Sequence, residues 1–408
     1  MTRDLLCFSH LRWDFVYQRP NHLMARAARD RRVYFVEEPV FSPGSSPTTT
    51  TVDREGVTVV TPHLPTGVCE AAVNRHLADL MDALVLTESI RRPTLWYYTP
   101  MAMPWTRHLE AGAVVYDSMD YLAGFLGAPP DLLRLEAELL QRAEVVFCGG
   151  TSLHERMRRL HPSTHCFPST VDVEHFGRAR EGLPEPEDQR WISHPRIGYA
   201  GVLDERIDLE LIDALASARP DWQIVLVGPV AKIDPVDLPR HDNIHYLGLK
   251  SYQDLPAYLG GWDVGWMPFA RNAATRYISP TKTPEYLAAG LPVVSTTIKD
   301  VVESFGRAGL AAIADDVEGT TEAVSRVLAG HRPDPERVDA LLASRSWDRT
   351  WGAMASLIAA LERTVVAKRA LRTDLPPTAA SRSGIRATVP AGSSSHAGAG
   401  MRSGEASD

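Results

Sequence analysis

The sequence predicts an α/β protein built from two facing Rossmann-like domains with a cleft between them. Three observations predict it. Short, continuous apolar runs alternate with helical patterns, as expected of parallel strands buried on both faces. The alternation occurs twice, once in each half of the chain. Between the halves, residues 177–195 (G-R-A-R-E-G-L-P-E-P-E-D-Q-R-W-I-S-H-P) lose periodicity and gain proline and charge, as a domain linker does. The expected units are residues 1–185, residues 190–346, a terminal helix over 347–370 and a tail over 373–408.

In the first half the apolar runs place strands at Leu5–Ser9, Val33–Glu37, Val57–Thr61, Leu95–Tyr98, Val114–Tyr116 and Val145–Cys148. Helical periodicity falls at Pro20–Arg29, Ala71–Ile90, Asp131–Arg142 and Ser152–Leu160. Residues 41–52 (F-S-P-G-S-S-P-T-T-T-T-V) read as a polar surface loop. In the second half the strands are Arg196–Ala200, Gln223–Val227, Ile244–Tyr246, Val264–Met267, Pro292–Ser295 and Leu310–Ala312. Helices are expected near Leu209–Ala218, Tyr252–Leu259, Thr281–Ala289, Val317–Ala329 and Trp347–Val366. The last stretch is rich in Ser, Ala, Gly and Pro with few large apolar residues, which predicts disorder.

Bulk properties narrow the classes. The 408 residues suffice for two sizeable domains, and 44% apolar with 23% charged residues is an ordinary globular composition. A formal net charge of −8 argues against nucleic acid as a partner. No apolar run is long enough for a membrane-spanning helix. Met1-Thr-Arg-Asp leads straight into a strand, so no secretory signal is expected and a cytoplasmic setting is. The helix Ala71–Ile90, followed by Arg91-Arg92, suggests peripheral membrane contact as one reading and a packed surface helix as the other. Cys7, Cys69, Cys148 and Cys166 are far apart in sequence and read as buried free thiols.

Three missing motifs exclude chemistry. No G-x-G-x-x-G follows the first strand, no G-x-x-x-x-G-K-[ST] exists, and no D-x-D occurs. A dehydrogenase, a P-loop nucleotidase and a metal-anchored transferase are therefore disfavoured, and no metal site or cofactor is expected.

The segment Ser279–Thr296 (S-P-T-K-T-P-E-Y-L-A-A-G-L-P-V-V-S-T) carries the strongest positive signal. Lys282 and Glu285 stand one helical turn apart, with Thr281 just before them. A cation beside exposed helix N–H groups suits a diphosphate, and a carboxylate suits ribose hydroxyls. The structural reading is an ordinary salt bridge, worth less than ~1 kcal/mol. Gly201 and Arg206, in the loop after strand Arg196–Ala200, are further donor-side candidates; Arg206 reaches a phosphate or pairs with Asp204 or Asp208. In the first half, the loop before Pro20 gathers His10, Trp13, Asp14, Gln18 and Arg19, with His22 just beyond. Loops at strand carboxyl ends are where open α/β sheets bind ligands. Asp120, three residues past Asp117, is a candidate base; the structural reading is a turn cap. Arg276 is a cation in the loop leading to Lys282, and Ser152-x-x-Glu155 reads as a capping box.

Pro280–Val294 (P-x-K-x-x-E-Y-L-A-x-G-x-P-V-V) resembles the nucleotide-binding element of GT-B glycosyltransferases. Trp13–Leu23 (W-D-F-V-Y-Q-R-P-N-H-L) makes the chain similar to bacterial transferases of teichuronic-acid-type and xanthan-type (glucuronosyl) polysaccharide assembly. Y-D-S-M-D, F-P-S-T-V-D and V-L-D-E-R-I-D fit the same group, so the resemblance covers about residues 4–365. It implies transfer of a sugar from a nucleoside-diphosphate sugar, a UDP-sugar being favoured, to a glycan or polyprenyl-linked acceptor. It also implies that the second domain binds the donor through Lys282 and Glu285, and that Asp120 is the base. Retaining relatives carry E-x7-E; this chain departs from that pattern, with Tyr277 eight residues before Glu285. A nucleotide-sugar epimerase and a non-catalytic sugar-nucleotide binder are the alternatives.

Overall fold

The computed structural model describes residues 3–373. The chain divides into a compact unit, Met1–Val365, and a second unit, Val366–Asp408, of which only 366–373 are described, as helix. The tail expected over 373–408 lies, from residue 374 on, outside the described residues.

The first sheet contains β1 (Arg3–Phe8), β2 (Arg31–Val36), β3 (Val40–Ser42), β4 (Thr48–Arg54), β5 (Val57–Pro65), β6 (Thr94–Tyr97), β7 (Ala113–Ser118), β8 (Val145–Cys148) and β9 (Thr164–Cys166). Its order is β3-β5-β2-β1-β6-β7-β8-β9, all parallel, with β4 added antiparallel to β5. The second sheet contains β10 (Arg196–Ala200), β11 (Gln223–Val227), β12 (Ile244–Gly248), β13 (Val264–Met267), β14 (Val293–Ser295) and β15 (Ala311–Ile313). Its order, β12-β11-β10-β13-β14-β15, is the doubly wound order of a dinucleotide-type fold. Strand order reverses between β1 and β6 and again between β10 and β13. Each reversal opens a crevice at the carboxyl ends of its strands, where helices leave to opposite faces.

The buried runs make the sheets. Leu5–Phe8, Trp96, Val115 and Phe147 are fully buried in the first, Ile197, Val225, Val264 and Val294 in the second. Helices cover both faces, so strand residues are buried whichever way they point. Within this unit, the start of the long helix Trp347–Thr373 belongs to this packing: Trp347, Trp351, Met354 and Ile358 are buried in the cluster that holds Leu5, Cys7 and Phe35 of the first sheet.

Two sequence expectations need correction, for residues 41–52 and for the burial of the cysteines, and the stretch between the sheets gains detail. Residues 41–52 are not a loop: Thr48–Val52 lie in β4, paired with β5. Threonine and valine favour extended backbone, and Glu55 (φ 56°) with Gly56 (φ 79°) closes a tight hairpin turn. Residues 177–195, which lie between β9 and β10, are packed. Gln189 is fully buried, donating to the Tyr258 carbonyl at 3.0 Å and accepting from Trp262 Nε1 at 2.9 Å. The four cysteines are free, as expected, but not all are buried: Cys69 is exposed and Cys166 half-buried, and Cys148 and Cys166 are register partners on β8 and β9.

Candidate active site

A cavity of about 510 Å³ lies between the two sets of strand carboxyl ends. One wall is the loop after β1, Trp13–Tyr17, with Arg54 and Glu55 from the β4–β5 turn. The other is Gly201 after β10, Gly228 after β11, Lys250–Tyr252 after β12, and Lys282 with Glu285. An adjoining cavity of about 120 Å³ shares Val16, Tyr17, Gly201 and Lys282 and continues to Asp120, Ser169 and Arg206.

Lys282 and Glu285 occupy the first turn of the helix Lys282–Ala288, with Thr281 at its N-cap position making no side-chain cap. Lys282 Nζ donates to Glu285 Oε2 at 3.0 Å. The pair is thus made, yet it lines the cleft rather than the outer surface. Gly201 and Gly228 bring backbone to the cavity wall. A Cβ on Gly228 would lie 1.8 Å from the Gly201 carbonyl oxygen, and φ there is +144°, so only glycine fits. A Cβ on Gly201 would lie 2.5 Å from the Tyr199 hydroxyl and 3.3 Å from Lys282 Cε.

Asp120 faces the smaller cavity. Burial raises its pKa above the ordinary carboxyl value, with Arg206 pulling the other way. Arg206 itself is not a free cation: its guanidinium donates to Asp204 at 2.7 to 3.1 Å. Gln18 lines the same cavity and forms a capping box with Asn21 at the start of the helix Arg19–Ala27.

The remaining first-half candidates separate. Asp14 reaches the mouth of the large cavity, paired with Arg54 at 2.9 Å. Trp13 lines the cavity but is an anchor: it is buried, edge-on to Phe35, and its backbone N–H donates to the Glu37 carboxylate at 2.8 Å. Arg19 lines the smaller cavity, but its charge is already engaged. It is 1% exposed, donates three ways to Asp117 and once to the Phe167 carbonyl at 2.7 Å. His22 is likewise enclosed, stacked on Trp347 at 4.6 Å and edge-on to Tyr17 and Tyr252. His10 Nδ1 is buried without a partner, and burial, with Lys232 second, lowers the ring pKa to about 4. Arg276 lies outside the cleft, on a surface cavity with Arg271 and Arg307. The Ser152 capping box is also not formed. Gly150 is the N-cap of the helix Thr151–Met157, and Asp300, from the second half, accepts from Thr151 and Ser152 N–H at 2.8 and 3.0 Å. Glu155 pairs with Lys299 instead.

Among the cavity residues that escaped the sequence reading, two stand out. Tyr252 stacks on Tyr17 from the opposite wall at 4.5 Å and on His175 at 4.1 Å, and its hydroxyl is buried without a partner. Gly228 was the other; its signal is a glycine directly after an apolar strand, the same as at Gly201. Among the described residues no three His, Cys, Asp or Glu side chains gather as metal ligands. Nor is any described helix long and apolar enough to cross a membrane.

Residues 194–330 match the family described as glycosyl transferases group 1. Over that stretch the chain is similar to group 1 glycosyl transferases. Its matched stretch holds β10–β15 together with Gly201, Arg206, Lys282 and Glu285. The chain is 28% identical over 243 residues to the putative teichuronic acid biosynthesis glycosyltransferase TuaH of Bacillus subtilis strain 168. That match spans 55% of this chain and 61% of the relative's length. Sucrose-phosphate synthase of Thermosynechococcus elongatus is similar in structure, with TM-score 0.65 at 16% identity, covering 89% of this chain and 100% of that one. A trehalose-6-phosphate structure from E. coli bound with UDP-2-fluoro glucose gives TM-score 0.63 at 12% identity, covering 87% and 98%. The likeness over both sheets shows the GT-B fold.

Proposed function

We propose that the protein is a metal-independent glycosyltransferase that moves a sugar from a nucleoside diphosphate, a UDP-sugar being favoured, to a glycan or lipid-linked acceptor in cell-surface polysaccharide synthesis. The observation that carries the proposal is the junction of the two cavities. Lys282 lines both, so a donor diphosphate held there would place its sugar toward Asp120. In this reading residues 190–346 bind the donor and residues 1–185 the acceptor. Glu285 takes ribose hydroxyls, and the loops after β11 and β12, with Tyr252, receive the base. Arg206, held by Asp204, contributes field rather than a hydrogen bond to phosphate.

The chemistry needs two things from these residues. An acceptor hydroxyl attacks the sugar's anomeric carbon as the bond to diphosphate breaks. Asp120 takes the hydroxyl proton, and its raised pKa brings it nearer the range where a general base works. The leaving diphosphate keeps the electron pair, and Lys282 with the first N–H groups of its helix stabilises that charge. Binding between two domains excludes water that would compete with the acceptor. A cytoplasmic location, with contact at the inner membrane face, follows from the acceptor class proposed.

The test is a thermal-shift panel of UDP, GDP, ADP and TDP, which rank by how far each raises stability. Lys282→Ala should weaken the preferred nucleotide roughly tenfold to a hundredfold, the range of one charge-assisted contact. Asp120→Asn should bind nucleotide as before and lose at least roughly a hundredfold in turnover. Unchanged binding in the lysine variant would remove the diphosphate role. Donor consumption yielding an isomeric nucleotide sugar would point to an epimerase, and saturable binding without turnover to a sensor.

A further inference from the structure

The Asp120 carboxylate has no hydrogen-bond partner among the described residues, so nothing on its own side chain fixes its direction. Its position is set by the loop that it begins. That loop is held by the other half of the molecule. At Gly124 an added Cβ would lie 2.5 Å from the Ala273 carbonyl oxygen, so two backbones meet at a distance that only glycine allows. The next residue, Phe125, has the Lys232 ammonium 4.5 Å and the Arg206 guanidinium 5.5 Å from its ring centre. Leu126 N–H donates to Glu205 Oε1 at 3.2 Å. Tyr121 meets Tyr277 edge-on at 5.3 Å. These contacts reach the loops after β10, β11 and β13, the same loops that frame the donor side.

Phe125 differs from the other anchors because both its cations are set up for it. The Arg206 N–H edge is occupied by Asp204, which leaves the guanidinium face for an aromatic ring. Lys232 holds φ at +61°, a left-handed backbone that a lysine adopts only where surrounding contacts compensate. Both cations belong to the second half, and the ring to the first.

We propose, resting on the glycosyl-transfer reading above, that Phe125 is a positioning residue: seated on Arg206 and Lys232, it fixes where the Asp120 carboxylate stands relative to Lys282. Placement of the base is then coupled to the seating of one domain on the other. The groups acting on Asp120 agree with this. Burial raises its pKa most and Asp204 adds to that, while Arg206, Arg19 and Lys232 lower it. Unseating Phe125 lets the Asp120 carboxylate shift away from Arg206, which Asp204 holds in place, so the Asp120 pKa rises.

The experiment compares the full-length wild type with Phe125→Leu and Phe125→Tyr. The probes are UDP-glucose and UDP-glucuronic acid with water as acceptor, read as UDP release across pH. Water oxygen bonds to the anomeric carbon, the bond to diphosphate breaks, UDP leaves with the electron pair, and Asp120 takes the proton. Hydrogen exchange of amides 120–127 is measured on the same three proteins. Phe125→Leu should lower kcat roughly tenfold, the scale of a small misplacement of a catalytic group, and keep donor KM within about twofold. Its acid limb should move to higher pH, and amides 120–127 should exchange faster. Phe125→Tyr should keep kcat, acid limb and amide exchange, all three, near wild type. Wild-type kcat and acid limb in Phe125→Leu, or undiminished amide protection, overturn the proposal, as does a tyrosine variant as impaired as leucine. Should the wild type release no UDP from either donor, the glycosyl-transfer reading fails, and the exchange comparison decides the Phe125 anchoring alone.

Discussion

Replacing Arg19 with methionine should cost about 4 kcal/mol, and two independent routes give that figure. Arg19 and Asp117 are 1% and 0% exposed, so no solvent screens either charge. Removing the arginine leaves Asp117 without its three donor contacts and the Phe167 carbonyl without its own. Breaking one side of a buried ion pair costs about 3–5 kcal/mol. Alternatively the carboxyl escapes by taking a proton. From an ordinary pKa near 3.9, that costs about 4 kcal/mol at pH 7, at 1.36 kcal/mol per unit. The second route fixes the pH dependence. In Arg19→Met the folded pKa of Asp117 lies above the unfolded one, so the penalty is full near neutrality and fades below about pH 4. Replacing both partners, as Arg19→Met with Asp117→Leu, should recover most of the loss, because two apolar groups leave no orphan charge. Denaturant titrations of the three proteins at pH 7 and pH 5 measure all of this. A single variant within about 1 kcal/mol of wild type, or a double as unstable as the single, would refute the reasoning. So would a deficit that grows as pH falls.

Gly228→Ala should abolish nucleotide stabilisation in the thermal-shift assay and lower Tm, because its Cβ would collide with the Gly201 carbonyl at 1.8 Å; a variant that still binds UDP would mean the loops after β10 and β11 give way freely. His10 and His22 are held neutral by burial, His10 with a pKa lowered to about 4, so both resist a proton that the unfolded chain accepts near pH 6.5. Stability should therefore be full above about pH 6.5 and fall on acidification by roughly 1.4 kcal/mol per pH unit for each ring. His10→Gln should shallow that slope between pH 6.5 and 5; an unchanged slope would place the acid sensitivity elsewhere.

What the sequence could show follows from what each residue needs. Lys282 and Glu285 are neighbours in one helical turn, so local spacing suffices to find them. Strand cores were equally legible, because burial on both faces leaves uninterrupted apolar runs such as Leu5–Phe8. Arg19 and His22 carry residue types suited to a ligand, but they sit on the turn of their helix that packs inward. Their partners, Asp117 and Trp347, lie far along the chain. Tyr252 escaped for the same reason, since its stacking partner Tyr17 comes from the other half. Arg276 precedes Lys282 by only six residues, yet the loop turns it to a different face. Thr48–Val52 looked like loop because its threonines are polar, and only the pairing with β5 explains them as a strand.

The burial of Trp347, Trp351, Met354 and Ile358 against β1 and β2 has a consequence for the order in which the molecule can be made. Synthesis delivers the first sheet early and this helix only after the whole second sheet. Until then Leu5, Cys7, Val33 and Phe35 lack the neighbours that cover them, and Arg31 lacks Glu362, its partner at 2.7 Å. The half that is translated first is thus completed last. A fragment ending at the boundary between the two sheets would carry an apolar face open to solvent, a surface for chaperones or for other unfinished chains. Supplying the helix as a separate peptide would close it.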